Sequence, residues 1–141
     1  MRPRTLLFLA LALASSALLC HGQGVNPALH KVNRIHVAQM GSGAEAERFH
    51  GLLEDELRRV GFDVTGETGD ADAILTGEFS AEVHGDRSQA RATVQLKSPY
   101  GKRTLWSGDY ISQHKGEGHE DVVKSVAENC ADRLRKDWEK G

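Results

Sequence analysis

AILTGEFSAEVH, residues 73–84, alternates along its length. Leu75, Gly77, Phe79, Ala81 and Val83 share one parity, and Thr76, Glu78, Ser80, Glu82 and His84 the other, with Ile74 the one apolar exception. A period of two marks a strand with one buried face. Gly85-Asp86 follows, a pair suited to a two-residue hairpin because glycine accepts positive φ at the first turn position. Arg87 to Lys97 alternates again, with Ala90, Ala92, Val94 and Leu96 on one side and Gln89, Arg91, Thr93, Gln95 and Lys97 on the other. Ser98-Pro99-Tyr100-Gly101 fits a type I turn. The third strand, Arg103 to Ser112, places Trp106, Gly108 and Tyr110 on one face and Leu105, Ser107, Asp109 and Ile111 on the other. The stretch from Ala71 to Ser112 is therefore a three-stranded antiparallel meander, and its apolar face needs a cover.

Sequence on either side of the meander supplies that cover. Val32 to Gln39 predicts a strand that buries Ile35 and Val37. Ser42 and Glu45 have capping-box spacing, so a helix is expected to start there. Phe49, Leu52, Leu53, Leu57 and Val60 then recur at helical spacing, and Gly61 stops the helix in the C′ position. Phe62 to Thr65 is a short strand and Gly66 to Asp72 a polar loop, completing a β-α-β unit. After the meander, Gln113 to Gly118 reads as a loop. A last helix, about Asp121 to Trp138, carries Val123, Val126, Ala127, Cys130, Leu134 and Trp138 on one stripe. The expected fold is α+β: a mixed four- to five-stranded sheet with two helices on one face and one core.

Upstream, Met1-Arg2-Pro3-Arg4 is a basic start, and Leu6 to Leu19 is apolar except for Ser15 and Ser16. That run is shorter than the roughly 20 residues needed to span a membrane. It reads as an export signal over residues 1–22, followed by a linker over 23–31 and one domain over 32–141. Ala17-Leu18-Leu19-Cys20 is similar to a bacterial lipobox, but Leu19 stands where a small residue belongs. Two outcomes stay open: ordinary secretion, or a lipid anchor on Cys20, which would be the chain's one contact with a membrane. The expected location is outside the cytoplasm, in the periplasm, at the outer membrane or secreted.

With a formal net charge of −2 and scattered basic residues, composition gives no electrostatic case for nucleic acid. Few chemical motifs stand out. His114, Glu117, His119, Glu120 and Asp121 are of metal-ligating types, but their spacing matches no metal motif, so a solvated loop is the simpler reading. Cys130 lies on an apolar helix stripe, where a thiol is an ordinary small hydrophobe. Glu78 and Glu82 are about 13 Å apart along one strand, too far for a glycosidase pair. With Arg91 and Lys97 on the next strand they read as cross-strand charge pairs. Met40-Gly41-Ser42-Gly43 lacks the lysine of a phosphate loop and reads as the helix entry. Trp106 and Tyr110 share one strand face, where they either form a binding platform or pack beneath a helix.

Three phrases carry a resemblance: Leu57-Arg58-Arg59-Val60-Gly61-Phe62-Asp63-Val64, Ala71-Asp72-Ala73-Ile74-Leu75-Thr76-Gly77 and Leu105-Trp106-Ser107-Gly108. Over residues 32–138 the order of elements and these phrases resemble the small bacterial envelope domains of the TolB amino-terminal part, CsgG and the lipoprotein activators of penicillin-binding proteins. The resemblance implies a non-enzymatic binding or assembly module with no catalytic residues, metal or cofactor. The alternative is a secreted metal-dependent hydrolase built on the His114–Asp121 cluster. For the module, the expected docking site is a sheet edge that accepts an envelope protein or a second copy. The edge is either 62–65 or, preferred, 103–112, with Ser107 in the pairing backbone and Trp106 and Tyr110 as aromatic anchors.

Overall fold

The structure, a computed structural model, describes residues 26–100, 103–116 and 121–140. A 3₁₀ turn (Pro27–Lys31) leads into β1 (Arg34–Val37), α1 (Ala44–Arg59) and β2 (Asp63–Val64). A second 3₁₀ turn (Thr68–Asp70) precedes β3 (Ala73–His84), β4 (Arg87–Lys97), β5 (Thr104–Lys115) and α2 (Val122–Glu139). The five strands form one sheet in the order β2-β1-β3-β4-β5. β1 runs parallel to both β2 and β3, and the rest is an antiparallel meander. The α+β architecture expected from the sequence is present, with five strands and two helices.

Strand register sets the core. Leu75, Gly77, Phe79 and Ala81 stand opposite Leu96, Val94, Ala92 and Ala90. Those four β4 residues stand opposite Trp106, Gly108, Tyr110 and Ser112 in turn. Over this face lie α1, against β1, β2 and β3, and α2, against β4 and β5. Phe49, Leu53 and Leu57 of α1 and Val126, Cys130 and Leu134 of α2 meet Ile35, Leu75, Val94 and Leu96 with no exposed surface. The rings of Phe49 and Phe79 stack at 4.3 Å. Gly77 is required where β3 and β4 close up: a Cβ there would stand 2.0 Å from the Thr93 carbonyl oxygen.

The helix ends show how local chemistry sets the boundaries. Phe62 N–H donates to Leu57 and Gly61 N–H to Arg58, the paired bonds of a Schellman stop, with Gly61 at φ +102°. α2 is capped by Asp121, whose side chain accepts from Lys124 N–H at 3.1 Å. The two helices are pinned together by Arg48 to Asp121 at one end and Arg59 to Asp132 at the other. Gly85 takes φ +63°, while no non-glycine residue described has positive φ, which is the pattern expected of the Gly85-Asp86 turn.

Several expectations are corrected. No capping box forms at Ser42 and Glu45. Gly43 is the N-cap of α1, at a φ of +96° that serine disfavours, with no side-chain cap bond. The cross-strand pairing of Glu78 and Glu82 with Arg91 and Lys97 is absent. Register puts Glu78 opposite Thr93 and Glu82 opposite Gln89, and Arg91 turns instead to Asp109 on β5. β5 runs on through Lys115, three residues into the expected loop. Pro27–Lys31, read as part of a linker, buries Leu29 fully, and the indole of Trp138 donates to Val32 O at 2.8 Å. The signal over residues 1–22, Cys20 and Gly101 of the second turn lie outside the described residues.

Candidate docking edge

The sheet has two edges of very different length. β2 pairs through Asp63 and Val64 alone, whereas β5 is a 12-residue strand. Among the described residues, β5 pairs with β4 only, so its outer side carries no strand. The direction of its backbone groups follows from one bond. Gly116 N–H donates to Asp86 O at 3.1 Å, and bonded and non-bonded pairs alternate along an antiparallel ladder. From Gln95 opposite Ser107 to Arg87 opposite Lys115, the even-numbered β5 residues bond to β4. The N–H and C=O groups of Ser107, Asp109, Ile111, Gln113 and Lys115 therefore point to the open edge.

Side chains of the same five residues lie on the sheet face away from the helices. There Asp109 accepts two hydrogen bonds from the Arg91 guanidinium, at 3.2 and 2.8 Å, and one from the Thr93 hydroxyl at 3.2 Å. The Arg91 bonds hold the Asp109 carboxyl below the usual carboxylate range and raise the guanidinium in turn. Gln113 donates to Gln89 at 3.2 Å. Ile111 is the one large apolar residue of this row and is 50% exposed.

The aromatic pair faces the other way. Trp106 is 8% exposed beneath α2, and its indole N–H donates to Asp137 at 2.9 Å. Burial opposes ionisation of Asp137, but the bonds from Trp106 and Lys140 and the charge of Arg133 outweigh it and leave the carboxyl below its ordinary range. Tyr110, half-buried, stacks on Trp106 at 6.3 Å, with its ring across Gly108 where a side chain would collide with it. Burial raises the Tyr110 phenol well above its ordinary range. Of the expected anchors, Trp106 belongs to the core and Tyr110 is packed against it. Both lie on the parity bonded to β4, the wrong one for an outer edge. Ser107 is exposed and on the outward parity. The residue missed by the sequence reading is Ile111, whose signal was an isoleucine on the polar parity of an alternating strand.

The remaining candidates disperse. Asp121 is taken up by the cap and by Arg48, which together overcome a burial penalty and keep it ionised. His114 lies on β5 opposite Ser88, and Glu117, His119 and Glu120 lie outside the described residues. Among the described residues no group of three His, Cys, Asp or Glu side chains could hold a metal. Cys130 is fully buried, and desolvation pushes its thiol up to about 12.

No family model matches the chain, and no curated protein matches it in sequence. Its fold does recur in solved structures. The PelC dodecamer from Paraburkholderia phytofirmans superposes with a TM-score of 0.60 at 18% identity, over 78% of this chain and 92% of that one. A minor lipoprotein from Acinetobacter baumannii superposes at 0.53 and 12% identity, over 75% and 91%. At such identities the likeness is one of fold: this chain is built like two bacterial proteins, of which one is a dodecamer and the other a lipoprotein.

Proposed function

We propose that the domain is a non-enzymatic assembly module of the bacterial cell envelope. It acts by adding an extended strand, from an envelope protein or from another copy of itself, to the open edge of β5. One observation carries this reading: a long strand with five outward-facing backbone positions that no strand pairs among the described residues, at the opposite end of the sheet from a two-residue edge. Strand addition draws its affinity from main-chain bonds, so it needs neither the aromatic anchors nor a cofactor. The export signal read in residues 1–22 supports a location in the periplasm or at the outer membrane. The shared fold of a dodecamer and a lipoprotein supports assembly at that location. The finer kinship, with the TolB amino-terminal, CsgG and penicillin-binding-protein-activator group, rests on the three phrases quoted above. Membrane contact is assigned to a lipid on Cys20 alone.

Ser107→Pro tests the edge. It removes one outward donor and no bond to β4, so thermal unfolding should stay close to wild type while strand-mediated association is lost. A normally folded variant that keeps every wild-type interaction overturns the reading. Mass spectrometry of the native protein tests the compartment: loss of the leader is expected, and an intact Met1 contradicts it. Joint replacement of His114 and His119 by alanine should leave metal content unchanged, whereas loss of a bound metal would favour the hydrolase.

A further inference from the structure

We infer that the strand added to β5 is the β5 strand of a second copy, running antiparallel about a two-fold axis at Ile111. The inference rests on the edge reading above and names its occupant. Length is the first argument. A twelve-residue edge gains little from the two-residue β2 edge of another molecule, but another β5 matches it in full. Register is the second. Only an axis at Ile111 pairs all five outward residues among themselves. Ser107 then faces Lys115 of the other copy, Asp109 faces Gln113, and Ile111 faces Ile111. Each of the five pairs exchanges two main-chain bonds, about ten in all.

The side chains suit that register. No like charges stand opposite each other, whereas an axis at Asp109 would oppose two carboxylates. Asp109 is already neutralised by Arg91 within its own protomer, so it joins the seam as part of an ion pair. At the axis the two Ile111 side chains cover each other, removing the exposed large apolar residue of this face. The irregularity in β5 opposite Leu96 and Lys97 lies just before Ser107. A bulge sharpens strand twist and ends regular pairing, so the straight part of the edge begins where the paired row begins. The two sheets would join into one across the seam.

The test uses the full chain in a Cys20→Ser background. Cys130 is buried and its thiol is held protonated, so an introduced cysteine is the one reactive site. Under mild oxidation Ile111→Cys should give a covalent dimer on a non-reducing gel. Gln95→Cys, on the same face one strand inward, should not. By light scattering the unmodified full chain should be a dimer, and Ile111→Asp, with circular dichroism unchanged, should weaken it about tenfold or more. A monomer at every concentration overturns the inference, as does a dimer that Ile111→Cys fails to trap. In the latter case Ser107→Pro separates the two levels. If it abolishes the dimer, the edge is used with a different geometry and only the two-fold pairing falls; if the dimer survives, the edge reading falls as well.

Discussion

Leu75 and Val83 lie on the same strand, on the same parity, eight residues apart along a regular ladder. Leu75 has no exposed surface and Val83 is 75% exposed. The difference is the helix layer. Near the start of β3, α1 and α2 roof the sheet. Towards the Gly85-Asp86 turn the three long strands run past the roof, and of Ala81, Val83, Ser88, Ala90, Ser112 and His114 only Ala90 is buried. Alternation records which face a residue is on, while burial also requires something above that face. An apolar residue on the inner parity is thus a core residue under the roof and, at the far end of the hairpin where Val83 stands, a surface residue.

The contrast is sharpest in a pair of truncations. Leu75→Ala, or Leu53→Ala on the underside of the roof itself, should cost about 2–5 kcal/mol through lost transfer energy and an unfilled cavity. Val83→Ala should stay within about 0.5 kcal/mol, as surface changes do. Denaturant titration of these variants checks both, and equal losses would erase the distinction between the halves. Gly77→Ala comes next. Its Cβ meets the backbone of β4 and not a movable side chain, so a loss of about 1–3 kcal/mol is expected by thermal melt.

Smaller effects probe the polar attachments of the helix layer and of the bare face of the sheet. In the roofed half, Asp137 and Asp121 both ionise more readily folded than free. Their contribution to stability is present above the ordinary carboxylate range and is lost as pH falls through their lowered folded values. Asp137→Asn should flatten the acid limb of the stability profile below about pH 4. On the sheet face away from the helices, Asp109 follows the same sign, but its pair with Arg91 is solvent-exposed. Asp109→Asn should therefore change stability least, with an unfolding midpoint indistinguishable from wild type. Cys130 gives a last check on the roof: its thiol should resist a disulfide reagent at pH 8 in the native protein and react at once when unfolded.

The sequence carried the elements well because each has a local cause. The period of two in 73–84 and 87–97, the glycine of the hairpin and the glycine stop after α1 are read within a few residues of themselves. What depends on distant partners was less legible. The fate of Trp106 turns on Asp137, 31 residues later, and that of Arg91 on whether Glu78 or Asp109 stands nearer in the register. Leu29 is buried because α2 returns to it, which no pattern in 23–31 announces. The docking edge was legible as a strand, and its end position follows from its being the last strand of the meander. Which of its residues face outward needed one hydrogen bond at Gly116 to set the phase.

Strand order also has a consequence for how the chain assembles in time. β3, β4 and β5 are neighbours in sequence and in space, joined by tight connections whose closure entropy is small. β1 reaches its place between β2 and β3 only after a crossover that includes all of α1, and α2 must fold back over β4 and β5 to meet Leu29 and Val32. Contacts of long sequence separation form late and slow the overall rate. The meander is therefore expected to nucleate folding, with β1 and the amino-terminal turn locking last. During that interval the newly formed β3 has a bare side as well as β5, so the nascent sheet passes through a stage with two long adhesive margins before β1 closes one of them.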